Sequence, residues 1–252
     1  LNPDAVLFVG DLGEGDIRLI KLINQLEIPT ALILGNHDRG HDQNGENLSK
    51  QLSLLGEKDC SWRLRKWEYP LISVVGGRPC SPGGGYYLST QVKSVFGPIP
   101  IEESVARIVQ SSIKAPKKLP LVLLAHSGPT GLGSEASSIC GRDWKPPQCD
   151  WGDKDLELAI DEIRKVRHID LVVFGHMHHQ LKRGMGNRTT FFKDRHGTIF
   201  LNTACVPRKG TDQFGELLSH FSWIELTNGK ITHVSHRWYR SDSSIAYQES
   251  FL

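Results

Sequence analysis

Four short apolar runs recur along the chain, and each stops at polar residues with a glycine at or near the stop. "AVLFVGD" ends at Asp11, "TALILGNHD" at Asn36, His37 and Asp38, "LPLVLLAHSG" at His126, and "IDLVVFGHMHH" at His176, His178 and His179. Continuous runs of Val, Leu and Ile of this length predict strands buried on both faces. Helical periodicity fills the gaps. "DIRLIKLINQL" spaces Ile17, Ile20, Ile23 and Leu26 by three residues, with Asp16 placed to cap. "IEESVARIVQSSI" sets Val105, Ile108, Val109 and Ile113 on one side. "DKDLELAIDEIRKV" sets Leu156, Ala159, Ile160, Ile163 and Val166 on one face, with Asp153 or Asp155 as the cap.

Strand and helix in alternation predict parallel strands joined by right-handed crossovers. Parallel strands bring their carboxyl ends to one edge of a sheet, where sites in open α/β folds form. The four polar clusters are therefore expected to meet in space. "WEYPLISVVGGRP", "GTIFLNTA" and the hairpin "SWIELTNGKITHVSHRWY", turning at Asn228-Gly229, read as strands of a second sheet with mixed pairing. The Gly/Pro-rich stretch around residues 76–100 reads as an elaborated loop. No repeat or linker divides the chain, so residues 1–252 are expected to form a single domain.

Composition narrows the function. Lys and Arg number 30 against 28 Asp and Glu, a near balance that gives no field for nucleic acid or membrane surfaces. No apolar run is long enough for a membrane helix. The five cysteines form no CxxC pair, which favours free thiols in a reducing compartment; Cys140 and Cys149 flank one loop, and a pair or metal site there is the lesser reading.

Each polar cluster alone is a weak signal. A Gly-Asp is commonly just a turn, and a lone His such as His126 is more often a hydrogen-bonded core residue. Their conjunction in this order is the stronger argument. Asp11, Asn36, His126, His176 and His178 offer carboxylate, amide and imidazole donors, a set that suits Mn²⁺, Fe²⁺ or Zn²⁺ better than Ca²⁺. His176 and His178 alternate, so a bend is needed for both to reach one site, and Gly175 is expected to supply it.

The motifs "GD" at Gly10-Asp11, "GNHD" at Gly35 to Asp38, the lone His126 in "AHSG" and "GHMH" at Gly175 to His178 resemble, in order, those of the calcineurin-like metallophosphoesterase superfamily. The resemblance implies an α/β (α+β) fold of two packed mixed sheets flanked by helices, a four-layer sandwich around a dinuclear metal site. It implies that Asp11 bridges two metals, that Asn36, His126 and His176 complete one position, and that His178 belongs to the other. It makes His37 the catalytic proton donor, oriented by Asp38. The family's leading DxH block has no counterpart before Gly10. The chain therefore reads as a piece of a longer protein without that first strand, expected to hold about one metal where the full-length protein holds two, and to be weakly active or inactive by itself. "DRH" at Asp194 to His196 reads as a turn before a strand.

The implied activity is hydrolysis of a phosphomonoester or phosphodiester, with a small phosphoester or a nucleotide as substrate; a catalytically inactive scaffold for protein binding is the alternative. "GDLGEGD" and "LGNHDRG" differ from the protein-phosphatase motifs, and no Tyr follows Asp11 as in purple acid phosphatases. "SVVGGRPCSPGGG", "AHSGPTGLG" and "NTACVPR" look similar to a group found in cyanobacteria and plants, which implies a chloroplast or cytoplasmic setting. Arg39, Arg78 and Arg208 are candidates for phosphate binding, with solvated surface equally open for each. His41 and His179 adjoin ligand blocks but match no family ligand position. Trp144 and Trp151 are expected to pack their Pro-rich loop.

Overall fold

Every apolar run that ends in a polar cluster forms a strand, and the polar residues fall in the turn beyond it. The computed structural model describes residues 1–182 and 186–252. In chain order the elements are β1 (Val6–Phe8), α1 (Ile17–Asn24), β2 (Thr30–Leu32), α2 (Glu46–Leu55), β3 (Leu64–Lys66), β4 (Ser73–Gly76), α3 (Thr90–Phe96), α4 (Ile101–Lys114), β5 (Leu121–Leu124), α5 (Lys154–Arg164), β6 (Leu171–Phe174), β7 (Phe191–Lys193), β8 (Ile199–Asn202), β9 (Lys209–Thr211), β10 (Leu217–Thr227), β11 (Lys230–Tyr239) and β12 (Ile245–Ser250).

A six-stranded mixed sheet in the order β3-β4-β5-β6-β8-β7 forms the centre, parallel through β4, β5, β6 and β8 with an antiparallel strand at each edge. Alternate residues of its strands enter two different cores. Leu121, Leu123, Val172 and Phe174 pack with Ile108 of α4 and Leu156, Ile160 and Ile163 of α5. Val122, Leu124, Leu171 and Val173 pack with Ala31 of β2 and Val234 of β11. Both faces are covered, as uninterrupted apolar runs require, and each fully buried Leu, Val or Phe contributes about 1.5–3 kcal/mol over leaving it exposed.

The division into sheets differs from expectation. β1 and β2 form a separate parallel pair. β4 and β8, expected in the second sheet, belong to the central one, because their residues pair in parallel with β5 and β6. The other sheet, β12-β11-β10-β9, is antiparallel throughout. Its β10–β11 hairpin turns at Asn228 and Gly229, with φ of 51° and 72°, the left-handed pair that a tight hairpin turn demands.

The helices show where periodicity misleads. Asp16 caps α1 as expected, accepting from the Arg18 N–H at 2.8 Å. Asp153 stands at the cap of α5 but turns its carboxylate to Arg78 (2.7 Å) and Ser81 (2.5 Å) instead. On α4 the buried line is Ser104, Ile108 and Ser112, and Ile113 is 53% exposed. Ser104 takes that face because its Oγ accepts from Trp62 Nε1 at 2.7 Å and donates to Asp155 at 2.6 Å. The loop around residues 76–100 contains α3, capped by the Ser89 hydroxyl on the Val92 N–H at 3.2 Å. No helix among the described residues is long and apolar enough to cross a membrane.

Candidate metal centre

The turn after β1 and the turn after β2 touch. Gly10 (φ 89°) and Asp11 (φ 52°) are both left-handed. A Cβ on Gly10 would lie 2.6 Å from Gly35 Cα and 2.8 Å from His126 Nδ1, so only glycine admits the contact. For Asp11 the conformation costs roughly 1–3 kcal/mol, the kind of strain that collects at functional sites. It aims the carboxylate at the other loops: Asp11 Oδ1 accepts the His37 backbone N–H at 3.0 Å and lies 3.4 Å from His126 Nε2.

His126 is buried at the end of β5. Its Nδ1 donates to the Val9 carbonyl at 2.6 Å, which leaves Nε2 as the lone-pair nitrogen. That nitrogen faces Asn36 Oδ1 at 3.0 Å as well as Asp11. The His176 ring stands edge-on to the His126 ring at 5.1 Å. Asp11, His126 and His176 each present a ligand atom within 4.8 Å of the others. Oxygen and nitrogen lone pairs thus converge on one point, an arrangement that a cation relieves, and the donor set fits a borderline divalent metal.

The same residues are coupled electrostatically. Burial raises the pKa of Asp11, but the charge and hydrogen bond of His126 and the His37 N–H outweigh it and hold the carboxyl far below its usual range. Burial lowers His126, and Asp11 more than reverses the effect. His176 is held down to about 3, by burial first and then by His126. His178 is lowered chiefly by burial. Its side chain is the exposed member of the set, and its carbonyl accepts from Arg188 Nε at 3.0 Å.

The bend in "GHMHH" falls one residue later than expected. His176 itself is left-handed, at φ 64°, whereas Gly175 avoids a clash: a Cβ there would lie 2.8 Å from Val9 Cγ2.

Asp38 does not hold the His37 ring. Its buried carboxylate accepts the N–H groups of Leu12 (2.8 Å), Gly13 (3.2 Å) and Gly35 (2.9 Å), tying the two ligand turns together. The acid beside His37 is Glu14, 3.8 Å from Nδ1, and both side chains are largely exposed. Neither Glu14 nor the Val9 carbonyl carries a motif that would mark it in advance; closeness to Asp11 in "GDLGEGD" was the only cue for Glu14.

The remaining candidates scatter. Arg39 follows Asp38 in the second turn and is half-buried. Arg78 is buried and paired with Asp153 at 2.7 Å and Asp155 at 3.1 Å, so it has no guanidinium free for phosphate. Arg208 is exposed, and its charge acts on His220 and Cys205. The five cysteines are free thiols. Trp144 and Trp151 pack edge to face at 5.3 Å, and Trp151 donates to the Pro82 carbonyl at 2.9 Å. Asp194 caps the turn before β8 through the N–H groups of His196 (2.9 Å) and Thr198 (3.0 Å).

Among curated proteins, none matches the chain. A family model for calcineurin-like phosphoesterases matches residues 1–180, a span that takes in all four polar strand ends. With that match, the convergence of the "GD", "GNHD", "AHSG" and "GHMH" turns has its explanation: the chain belongs to the calcineurin-like phosphoesterase family.

Proposed function

We propose that Asp11, Asn36, His126 and His176 hold one divalent cation, Mn²⁺, Fe²⁺ or Zn²⁺, and that the site hydrolyses a phosphomonoester or phosphodiester of a small molecule or nucleotide. The family's chemistry is metal-dependent phosphoester hydrolysis. The observation that carries the reading is that three ligand atoms from three separate strand ends lie within 4.8 Å of one another.

A bound divalent cation supplies Lewis-acid polarisation of a phosphoryl oxygen and acidifies a water. The protein's own groups do the rest. Val9 fixes the His126 tautomer and ring plane. Asp38 holds the Leu12–Gly13 and Gly35 backbone in register, so Asp11 and Asn36 keep their separation. His178 stands at the exposed rim and, with Asp11, offers two donors toward a second cation. His37 projects into solvent beside Glu14, placed to give a proton to the leaving oxygen, a contribution on the order of 10²–10⁴ in rate. Arg39, on the same turn, is the better-placed candidate for a phosphate oxygen.

The test is hydrolysis of an aryl phosphomonoester and an aryl phosphodiester after chelation and readdition of Mn²⁺. Activity lost with chelator, restored by Mn²⁺ and absent in His126→Ala supports the reading. Hydrolysis that survives the chelator, or that persists in His126→Ala, would contradict it.

A further inference from the structure

A second group of metal-type donors lies on the other side of the "GHMHH" turn. His179, Cys205 and His220 each present a ligand atom within 4.8 Å of the others. They come from three places: His179 from the turn after β6, Cys205 from the loop after β8, and His220 from β10. None belongs to the Asp11 constellation.

The surroundings resemble a built site. His179 Nε2 donates to the Asn202 carbonyl at 3.0 Å, which leaves Nδ1 with the lone pair. Metal-bound imidazoles are commonly oriented in this way, through the nitrogen that does not bind. The His179 backbone is itself pinned, its N–H donating to the Ala204 carbonyl at 3.1 Å. A third imidazole completes the cluster: the His236 ring lies 4.8 Å from that of His179 and 5.3 Å from that of His220. His236 is 4% exposed. Its Nδ1 is 2.9 Å from Ser222 Oγ, and its buried Nε2 has no hydrogen-bond partner among the described residues. An unpaired buried ring nitrogen destabilises the fold unless something answers it. A cavity of about 580 Å³ opens over the cluster, lined by His179, Cys205, His220, His236, Trp238 and Tyr247.

We propose that His179, Cys205 and His220 bind a second, thiolate-preferring cation of the Zn²⁺ class, with the fourth position open to the cavity beside His236 Nε2. One thiolate and two imidazoles form a donor set for Zn²⁺ and not for the hard cations that carboxylates hold. Tetrahedral Zn²⁺ with bonds of 2.0–2.3 Å needs its donors about 3.5 Å apart, so donors within 4.8 Å of one another must close by at most about 1 Å. Cys205 can supply that movement, since it is only half-buried and its thiol makes a single long contact, 3.8 Å to the Pro207 carbonyl. Burial raises the pKa of the Cys205 thiol, and the positive charge of Arg208 offsets only part of that, so the cation itself must displace the proton. An open coordination position over a cavity is the arrangement of a reactive or ligand-binding zinc, not of a closed structural one.

The experiment is titration of metal-free protein with Co²⁺. Thiolate bound to Co²⁺ gives a near-ultraviolet charge-transfer band, which the oxygen and nitrogen donors around Asp11 do not give. The expected result is a band that saturates in the wild-type chain, survives in His126→Ala, disappears in Cys205→Ser, and needs on the order of 100-fold more Co²⁺ in His220→Asn. No band at saturating Co²⁺, or an unchanged band in Cys205→Ser, would overturn the proposal. A measurement on the wild-type chain stands beside it: alkylation of Cys205, followed peptide by peptide, should slow about tenfold or more with Zn²⁺. Equal alkylation with and without Zn²⁺ would also overturn it.

Discussion

His126 at the end of β5 donates to the carbonyl of Val9, the residue that ends the apolar run of β1, across 2.6 Å. The strand that carries Asp11 therefore also sets the ring that faces Asp11. An imidazole from one sheet is oriented by the backbone of another, and the arrangement is as rigid as the packing between them.

That packing depends on an absent side chain. A Cβ on Gly35 would lie 2.6 Å from His126 Cε1 and would overlap the Asp11 carboxylate. Gly35→Ala is expected to cost about 1–3 kcal/mol and to abolish Mn²⁺ binding. Gly77→Ala, where the nearest atom is Ala125 Cβ at an ordinary 3.5 Å, should do neither. Paired denaturation curves and metal titrations check both.

His37 and Asp38 should separate by phenotype. Where both cations are bound, His37→Asn should slow an alkyl phosphate by about 10²–10⁴ and an aryl phosphate far less, because a phenolate leaves without a proton. Its metal content should stay near wild type. Asp38→Asn keeps one acceptor oxygen where three N–H groups now bond, so it should lower stability and metal affinity and slow both substrates alike. Rates on the two esters together with metal analysis distinguish these outcomes.

Arg78→Met should act on stability, not on substrate. It leaves Asp153 and Asp155 buried without their guanidinium, at a cost of about 3–5 kcal/mol. Thermal denaturation should show a large drop, with KM unchanged for any folded fraction. A raised KM at wild-type stability would return Arg78 to phosphate binding.

Asp59 gives a pH-dependent test away from both metal clusters. It is buried, and burial is the main cause that lifts its pKa above 3.8, against the hydrogen bonds from Ser61. The folded chain then keeps a proton that the unfolded chain has released, so this group's contribution falls as pH rises from 3.8 through the folded value. Asp59→Asn can still accept from the Ser61 hydroxyl, now 2.6 Å away, and does not titrate. Its stability advantage should be absent in acid and should widen as pH rises above about 4, up to the folded value. A constant difference by urea denaturation across that range would contradict this.

Much of the candidate site was legible because polar residues at strand ends leave a local signature. An apolar run, a glycine and a polar residue are adjacent in sequence, and Asp11, Asn36, His126 and His176 could be read from them. What was hidden depends on contacts between distant segments. Asp38 looks like a partner of His37 by adjacency, but its carboxylate turns inward to backbone donors 25 and 26 residues earlier and at Gly35. Arg78 sits in a Gly-rich stretch that suggests a phosphate loop, and only the fold brings it to Asp153 and Asp155. Strand membership failed for a similar reason: nothing within "GTIFLNTA" reveals that β8 pairs with β6. His179, Cys205 and His220 lie in three unrelated contexts, one of them a surface-like hairpin, so no spacing announced them.

One cation held by Asp11, Asn36, His126 and His176 is what we propose for the four strand ends. The most direct measurement is calorimetric titration with Mn²⁺ in a Cys205→Ser background, which silences the second cluster. Saturable binding is expected, which Asp11→Asn and His126→Ala each weaken by about 100-fold or more and Arg208→Ala leaves unchanged. Mn²⁺ binding of wild-type strength in Asp11→Asn would contradict it.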